Sequence, residues 1–184
     1  INKENIDGII LQDYNKGVLT ERLIKDVISI ANGKSIPVGV DPKKKNFLAY
    51  KNVSLFKPNL KELKEGLGIN FKHDIIEEIL KAVDILHDKL NCRYIMTTLS
   101  ERGVLIKDYE KGIYHHIPAH LRQIADVSGA GDTVLSVAML CLVNQQDAYH
   151  IAALSNLAGG LVCEELGAVP INKDKFAEEI KKIF

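Results

Sequence analysis

Several features that would assign a protein to a class at once are missing from this sequence. Its 24 lysines and arginines are balanced by 24 aspartates and glutamates, so the formal net charge is +0. This balance gives no reason to expect attraction to nucleic acid or to a membrane surface. No apolar run approaches the roughly 20 residues that a membrane-spanning helix needs. No repeat, low-complexity segment or secretion signal is visible. What is present is 184 residues, 46% of them apolar, which suffices for one domain with a substantial core.

Cysteines are also scarce. Cys92, Cys141 and Cys163 lie in apolar segments and have no spacing typical of metal ligands. We interpret them as core thiols of a protein in the reducing cytoplasm. Aromatic residues make up 6% of the chain and are too scattered to form a platform on which nucleic-acid bases could stack. Because the sequence begins with Ile1 rather than methionine, we expect the natural polypeptide to begin earlier.

Segments with strand periodicity and segments with helix periodicity alternate along the chain. Short apolar runs predict strands at residues 8–12, 36–40, 53–56 and 94–98, followed by a hairpin of 104–107 and 113–117. Helices are predicted to begin after Thr20, at Asn59 or Leu60 and after Asp74, and to cover residues 131–143, 147–165 and 173–183. This alternation predicts an α/β fold in which a mostly parallel sheet lies between two layers of helices.

Polar residues stand where the predicted strands end or the helices begin. They are Asp13, Asp41, Asn59, Ser100 and a Gly-Ala-Gly loop at residues 129–131. In open parallel sheets, ligands bind beyond the carboxyl ends of the strands. Five polar clusters in equivalent positions therefore indicate one ligand site at that edge of the sheet.

The loop at residues 126–133, Asp-Val-Ser-Gly-Ala-Gly-Asp-Thr, carries the clearest chemical signal. Glycine lets the backbone approach a phosphate closely, and the N–H groups of Gly129, Ala130 and Gly131 at a helix start can bind an anion. A carboxylate beside such an anion makes sense if it takes a proton from an attacking hydroxyl. Asp132 would then be the general base for phosphoryl transfer to an alcohol. The alternative is an ordinary glycine-rich helix start with Asp132 as its N-cap.

A second motif precedes this loop. Asn59 and Glu62 are three residues apart and share a face of a first helical turn. An amide and a carboxylate in that arrangement suit a hydrated Mg²⁺ ion that bridges to phosphates. The alternative is a capping box in which Asn59 is the N-cap and Glu62 stands at the third helical position.

Other residues at strand ends are candidates for substrate contact. Asp13, Lys16, Asp41 and Lys43 belong to this group, because lysines at strand ends can meet a substrate phosphate as point charges. The alternative is that they are solvated turn residues. Residues 100–103 could line the phosphate or ribose of a nucleotide, although turns after strands often have a similar composition.

Taken together, these motifs resemble the ribokinase-like (PfkB) carbohydrate kinases. The loop at 126–133 resembles the C-terminal signature of that family, which is highly specific, and Asn-Leu-Lys-Glu at 59–62 resembles its Asn-x-x-Glu motif. Within the family, the segments 13–20, 40–43 and 58–62 are most similar to the heptose-7-phosphate kinase branch. That branch makes ADP-heptose for lipopolysaccharide, often as the kinase half of a bifunctional protein.

The resemblance implies a role for each matching residue. Asp132 matches the catalytic base, and Gly129, Ala130 and Gly131 match the anion hole. The other matches are Asn59 and Glu62 for Mg²⁺ and phosphate, Ser100, Gly103 and Asn156 for ATP, Asp126 and Ser128 for a monovalent cation such as K⁺, and Asp41 and Lys43 for the substrate. The resemblance thus implies ATP and Mg²⁺ as cofactors and a sugar phosphate as substrate.

Two departures from the family pattern stand out. Val137 occupies a position where the signature usually has a small residue. The resemblance also lacks the family's N-terminal strands, its Gly-Gly sugar-binding motif and the β lid that closes over the substrate and mediates dimerisation. We therefore expect residues 1–184 to be the C-terminal portion of a single ribokinase-like domain, without the β lid. The implied parent is a homodimer and can carry a fused nucleotidyltransferase domain.

Three functional hypotheses remain open. The first is an ATP-dependent sugar kinase that converts heptose 7-phosphate to heptose 1,7-bisphosphate, with Asp132 as the base. The second, motivated by the missing N-terminal half, is a nucleotide-binding fragment without catalysis. The third keeps the kinase chemistry but changes the acceptor to ribose, fructose phosphate or a nucleoside.

Overall fold

The structure is a computed structural model that describes residues 1, 5–120 and 124–183. Within these ranges a single sheet has its strands in the order β1 to β6. The strands are β1 Ile9–Gln12, β2 Val38–Asp41, β3 Leu55–Phe56, β4 Tyr94–Thr98, β5 Val104–Asp108 and β6 Ile113–Ile117. Strands β1 to β4 are parallel, whereas β5 is antiparallel to both β4 and β6. The predicted mostly parallel sheet is therefore confirmed, as is the hairpin at its end.

Helices connect the parallel strands and follow the hairpin. They are α1 Glu21–Gly33, α2 Leu60–Leu67, α3 Ile76–Leu90, α4 Ala130–Val143, α5 Ala148–Val162 and α6 Lys173–Ile183. Two short 3₁₀ turns, Lys44–Asn46 and Ser100–Arg102, were not predicted from the sequence. No helix among the described residues is long and apolar enough to cross a membrane.

The sheet separates two hydrophobic clusters. Neighbouring residues of a strand contribute to opposite clusters, as Ile95 and Met96 do in β4 and Leu105 and Ile106 do in β5, because successive side chains of a strand point to opposite faces. Helices α1, α2 and α3 cover one face, and α4 and α5 cover the other, with Phe176 of α6 packed against that second cluster. The predicted three layers are thus confirmed.

Helix α4 approaches the sheet closely at Gly39 of β2. A Cβ atom added to Gly39 would lie 2.4 Å from the sulfur of Met139, inside van der Waals contact. Glycine at this position therefore lets α4 pack directly on β2. This close contact packs α4 against β2, and the start of the same helix lies near the end of β2, where an added Cβ atom on Gly131 would lie 3.7 Å from Oδ2 of Asp41.

One predicted helix start is wrong. Helix α3 has Ile75 as its N-cap residue, without a capping side chain, rather than Asp74. The reason lies in the preceding turn, in which the Ile75 N–H donates to the Lys72 carbonyl oxygen. That turn places Asp74 before the first helical residue. The caps at Thr20, Asn59 and Asp147 all form, with their side chains accepting from backbone N–H groups.

Candidate active site

The carboxyl edge of the parallel strands brings together residues that are far apart in the sequence. Asp13 follows β1, Asp41 ends β2, and Lys57 follows β3. Asn59 continues this edge, where it forms an isolated parallel bridge with Thr98 at the end of β4. The carboxyl ends of four strands thus carry polar residues at one edge of the sheet, which is where open α/β sheets bind ligands.

The glycine-rich loop supplies the start of α4. Gly129 is the N-cap residue and has a left-handed backbone, with φ 78° and ψ −5°. Asp132 stands in the first helical turn, so the alternative that made Asp132 the N-cap is wrong. The Ala130 N–H donates to the Val127 carbonyl oxygen over 3.3 Å, whereas the N–H groups of Gly129 and Gly131 have no protein acceptor among the described residues. Those two groups are available to an anion at the positive end of the helix dipole.

Asp132 is exposed and has a tyrosine as its neighbour. The hydroxyl of Tyr14 donates to Oδ2 of Asp132 over 2.7 Å, across 118 residues of sequence. This hydrogen bond, with a smaller contribution from the negative charge of Asp132, raises the pKa of Tyr14. The other carboxylate oxygen of Asp132 accepts no hydrogen bond from residues 5–120 or 124–183.

A buried ion pair lies behind the start of α4. The Lys57 ammonium is 3.3 Å from Oδ2 of Asp41, and the two side chains are 3% and 8% exposed. Gln12 donates to the same carboxylate oxygen over 2.7 Å. A Cβ atom on Gly131 would lie 3.6 Å from the Lys57 nitrogen and 3.7 Å from that oxygen. A desolvated cation therefore stands directly against the backbone of the predicted anion hole.

Asn59 and Glu62 form the capping box that was the alternative interpretation of their motif. The Glu62 N–H donates to Oδ1 of Asn59 over 2.8 Å, and the Asn59 N–H donates to Oε2 of Glu62 over 2.9 Å. Lys43 donates to the remaining oxygen, Oε1 of Glu62. Although burial favours neutral Lys43, the hydrogen bond and the charge of Glu62 outweigh it and raise the pKa of Lys43.

These contacts bear on whether the motif fits a metal ion. Among the described residues, no three His, Cys, Asp or Glu side chains are grouped closely enough to hold one. A Mg²⁺ ion usually binds through one or two protein oxygens, keeps several waters and takes further ligands from phosphates. A metal contact by Asn59 and Glu62 stays a prediction.

Asp13 anchors the loop after β1. It is 2% exposed, and its carboxylate accepts from the Asn15 N–H over 2.7 Å, from the Tyr50 hydroxyl over 2.7 Å and from the Asn46 amide over 3.2 Å. Burial and the hydrogen bond to Asp13 raise the pKa of Tyr50. Lys16, in the same loop, is exposed. A direct contact between either residue and a substrate stays a prediction.

The residues predicted to contact ATP form a connected group. Ser100 opens the 3₁₀ turn after β4, and Gly103 ends it with φ 86° and ψ −133°. A Cβ atom on Gly103 would lie 2.0 Å from the Ile117 carbonyl oxygen. Asn156 donates to the next carbonyl, that of Pro118, over 2.9 Å. The chain that follows β6 thus lies between Gly103 and Asn156.

Asp126 and Ser128 fasten the loop that leads into α4. Oδ1 of Asp126 accepts from the N–H and the hydroxyl of Ser128 over 3.0 and 2.9 Å, and Oδ2 accepts from the Gly167 N–H over 3.0 Å. These bonds, led by the one from the Ser128 backbone, lower the pKa of Asp126. The loop is therefore tied to the turn after α5, and its binding of a monovalent cation stays a prediction.

Tyr14, Lys57 and Gln12 lie in this site but were not selected from the sequence. A signal existed for Lys57, because it follows a buried strand directly and precedes Pro58 and Asn59. Tyr14 stands next to Asp13 at another strand end. Neither residue belongs to a local sequence motif, because the residues that they contact, Asp41 for Lys57 and Asp132 for Tyr14, lie in other segments of the chain.

A three-layer α/β sheet with available N–H groups at a helix start and a carboxylate at its carboxyl edge is typical of α/β proteins that bind phosphate groups. Residues 4–175 match the description "pfkB family carbohydrate kinase", and the chain belongs to this family. The resemblance inferred from the motifs at 59–62 and 126–133 is therefore confirmed.

Curated relatives and solved structures agree with this assignment. "Bifunctional protein HldE" of Campylobacter curvus (strain 525.92) is 35% identical over 180 residues, which are 98% of this chain and 37% of that protein. The protein of the same name from Aliarcobacter butzleri (strain RM4018) is 37% identical over 177 residues, which are 96% of this chain and 36% of that protein. This chain thus spans little more than a third of the length of these relatives.

The fold matches known structures at low sequence identity. Phosphofructokinase-2 from Escherichia coli in complex with potassium superposes with a TM-score of 0.85 at 18% identity, over 97% of this chain and 58% of that one. Arabidopsis thaliana ribokinase complexed with ribose and ATP gives a TM-score of 0.81 at 20% identity, over 95% of this chain and 56% of that one. The predicted ribokinase-like fold is therefore confirmed.

Proposed function

We propose that this chain provides the nucleotide site and the general base of an ATP-dependent sugar kinase. Residues 1–184 would be the C-terminal portion of one ribokinase-like domain. The observation that carries the proposal is the position of Asp132. Asp132 stands in the first turn of α4, directly after Gly131, whose N–H is available and whose added Cβ atom would lie 3.6 Å from the buried Lys57 nitrogen.

The chemistry follows from this arrangement. Asp132 accepts the proton of the acceptor hydroxyl while the acceptor oxygen forms a bond to the γ-phosphorus of ATP. The bond between that phosphorus and the bridging oxygen breaks, and ADP leaves. Because the transition state is loose, a carboxylate suffices as the base. The N–H groups at the start of α4 and the ammonium of Lys57 stabilise the charge on the transferring phosphoryl group.

Other residues would bind and orient the reactants. Asn59 and Glu62 would hold Mg²⁺ through water, and that ion would neutralise phosphate charge. Lys43 is within reach of this region, because it already contacts Glu62. Asp126 and Ser128 would border a K⁺ ion, and Ser100, Gly103 and Asn156 would line the nucleotide.

The proposed acceptor is heptose 7-phosphate, converted to heptose 1,7-bisphosphate on the route to ADP-heptose and lipopolysaccharide. The relatives named "Bifunctional protein HldE" support this choice of branch. Their name also supports a second, fused activity in the full-length protein. A phosphate on the acceptor would meet Lys16 or Lys43, with Asp13 and Asp41 shaping that side of the site. We further propose a homodimer in the cytoplasm.

The experiment offers the full-length protein ATP and Mg²⁺ with a panel of sugars and sugar phosphates. We expect heptose 7-phosphate to give the highest kcat/KM, and Asp132→Asn to lower turnover by several orders of magnitude while ATP still binds. A similar rate with ribose or fructose phosphate would contradict the heptose assignment. Near-normal turnover of Asp132→Asn would contradict the role of the base.

A nucleotide-binding protein without catalysis is the alternative to this proposal. The same assay separates the two, because binding of ATP without phosphorylation of any sugar by the full-length protein would favour the binding protein.

A further inference from the structure

The contact between Tyr14 and Asp132 is not part of the proposed chemistry. The phenol is 57% exposed and reaches one oxygen of an exposed carboxylate over 2.7 Å. The two residues come from opposite ends of the chain, one in the loop after β1 and the other in the first turn of α4. An exposed tyrosine would not need this partner to satisfy its hydroxyl, because water could do so.

The backbone on which Tyr14 stands is fixed by its neighbours. Asp13 is buried and accepts the hydrogen bonds of Tyr50, Asn46 and the Asn15 N–H described above. The Asp13 N–H also donates to the Asp41 carbonyl oxygen over 3.0 Å. Asn15 then turns the chain back with φ 53°. The position of Tyr14 over Asp132 is therefore set by buried contacts rather than by the exposed phenol itself.

We propose that Tyr14 is a positioning residue for the general base: its hydroxyl holds Oδ2 of Asp132, so that Oδ1 is presented to the acceptor hydroxyl. This inference rests on the proposed function of Asp132. A carboxylate on a helix can rotate about its side-chain bonds, and either oxygen could then face the acceptor. A donor on one oxygen removes that freedom before the substrate arrives.

The charged groups around the phenol are consistent with this role. Asp132 faces Tyr14 from α4, Asp41 from the end of β2, and Lys43 from the segment after it. The hydrogen bond to Asp132 raises the pKa of Tyr14, so the phenol keeps its proton and donates throughout the neutral range. Lys57, behind Gly131, is paired with Asp41.

The test is the kinetics of Tyr14→Phe in the full-length protein, with ATP and the best acceptor of the panel. Loss of the hydroxyl should lower kcat about tenfold, because a charge-assisted hydrogen bond that orients the base is lost. The acceptor KM should change less than twofold. Tyr114→Phe, at an exposed tyrosine of β6 on the opposite edge of the sheet, is the matched control and should keep the wild-type kcat.

A second measurement needs no turnover. The ¹³Cζ resonance of Tyr14, assigned by its disappearance in Tyr14→Phe, is titrated with pH in the wild-type protein and in Asp132→Asn. The pKa of Tyr14 should be lower in Asp132→Asn, since the carboxylate that raises it is gone. The thermal midpoint of each variant shows whether it is folded.

The outcomes separate this inference from the proposed function. If no sugar is phosphorylated, the proposed function fails, and an unchanged Tyr14 titration in Asp132→Asn would still overturn the positioning role. An unchanged kcat in Tyr14→Phe would overturn it as well. A lower acceptor KM with equal or higher kcat would show that the phenol blocks the acceptor, which also overturns the inference.

Discussion

Lys57 is an unusual residue, because its ammonium is almost completely buried. Its side chain is 3% exposed, and its ion-pair partner Asp41 is 8% exposed. Taking two charges out of water is costly, and their mutual attraction compensates only where the geometry is good. Gln12 shares the carboxylate oxygen, which reduces that cost. Because burying an ion pair adds little net stability, the presence of this pair at the predicted phosphate site is better explained by a role in function.

We expect Lys57→Met to destabilise the protein by about 3 kcal/mol, since it leaves the Asp41 carboxylate buried with Gln12 alone. The measurement is the urea unfolding midpoint of the intact protein. Replacing both partners, as in Lys57→Met with Asp41→Leu, should restore most of the loss, because no uncompensated charge remains.

The matched control is Lys61→Met, which removes the exposed lysine of the pair with Glu65, at 83% and 41% exposure. Exposed pairs contribute little, so this midpoint should stay near that of the wild type. If Lys57→Met is equally mild, the Asp41 carboxylate does not depend on the Lys57 ammonium, which would contradict a tightly coupled buried ion pair.

At the residue scale, sequence patterns identified side chains but not their partners. Asp132 and its glycines were recognised because the whole signal lies within eight consecutive positions. Tyr14 was not identified from the sequence, because its candidate role depends on a contact with Asp132, which is 118 residues away. Asn59 and Glu62 were recognised as a pair, yet the pattern alone suited a capping box better than a metal site. The structure forms the box.

The element that follows β4 depends on one glycine. Gly103 has φ 86°, and a Cβ atom would lie 2.0 Å from the Ile117 oxygen and 2.6 Å from the Ala119 nitrogen. We expect Gly103→Ala to cost about 3 kcal/mol or more, since strain at positive φ adds to a clash with backbone atoms. The displaced segment includes the Pro118 carbonyl that Asn156 binds, so ATP affinity should fall too.

Gly112→Ala is the matched control for this prediction. Gly112 also has positive φ, at 66°, but its added Cβ would meet nothing within 4 Å. It should therefore cost only about 1 kcal/mol. Thermal unfolding and calorimetric titration with ATP measure both variants. If both variants lost the same free energy of unfolding and the same ATP affinity, residues 117–119 would be able to move away from Gly103 without cost, which would contradict this prediction.

Helix α5 begins at a titratable cap. The Asp147 carboxylate accepts from the His150 N–H over 2.9 Å, and this backbone hydrogen bond is the leading cause that lowers the pKa of Asp147. We expect Asp147→Ala to cost about 1 kcal/mol at neutral pH. A depressed folded-state pKa stabilises above the unfolded value of about 3.9, and this stabilisation is lost as the pH falls through the folded-state pKa.

The free-energy difference between the wild type and Asp147→Ala should therefore shrink below about pH 4. Thr20→Ala removes the cap of α1, which accepts from the Leu23 N–H over 3.3 Å and does not titrate. Its cost should stay constant over the same pH range. Urea unfolding at several pH values measures both, and parallel curves would contradict the charged cap at Asp147.

At the scale of elements, periodicity predicted the strands and helices well because most of them have a buried stripe or face, although β6 and α6 have no buried residue. The error at the start of α3 has a local cause. The Asp74 side chain could cap a helix. However, Asp74 lies inside the turn in which the Ile75 N–H donates to the Lys72 carbonyl oxygen, and the helix begins after that turn. The 3₁₀ turns at 44–46 and 100–102 were missed because three residues are too few to show a period.

For the whole molecule, the order of the elements could be predicted but the contacts across the site could not. Alternating strands and helices imply a parallel sheet, and that sheet implies a site at its carboxyl edge. Which side chains meet there depends on how α4 lies over β2, and Gly39 permits the close contact with Met139 of that helix. The bond from Tyr14 to Asp132 depends on that packing, whereas the ion pair of Lys57 and Asp41 joins the ends of the neighbouring strands β2 and β3.

Because the site draws on segments from residue 13 to residue 156, a bound nucleotide should stabilise the whole fold. With Mg²⁺ and ATP at 100 times the dissociation constant, the gain is about 2.7 kcal/mol, and the thermal midpoint of the full-length protein should rise by roughly 3 to 4 °C. Removal of Mg²⁺ with EDTA should abolish most of this rise, since the phosphates would lose their counter-charge. Asp132→Asn should keep the rise although it loses turnover, because the base binds the acceptor and not the nucleotide. Differential scanning fluorimetry of the full-length protein measures these midpoints. If neither ATP nor ADP raises them in the presence of Mg²⁺, the nucleotide site at the start of α4 is contradicted.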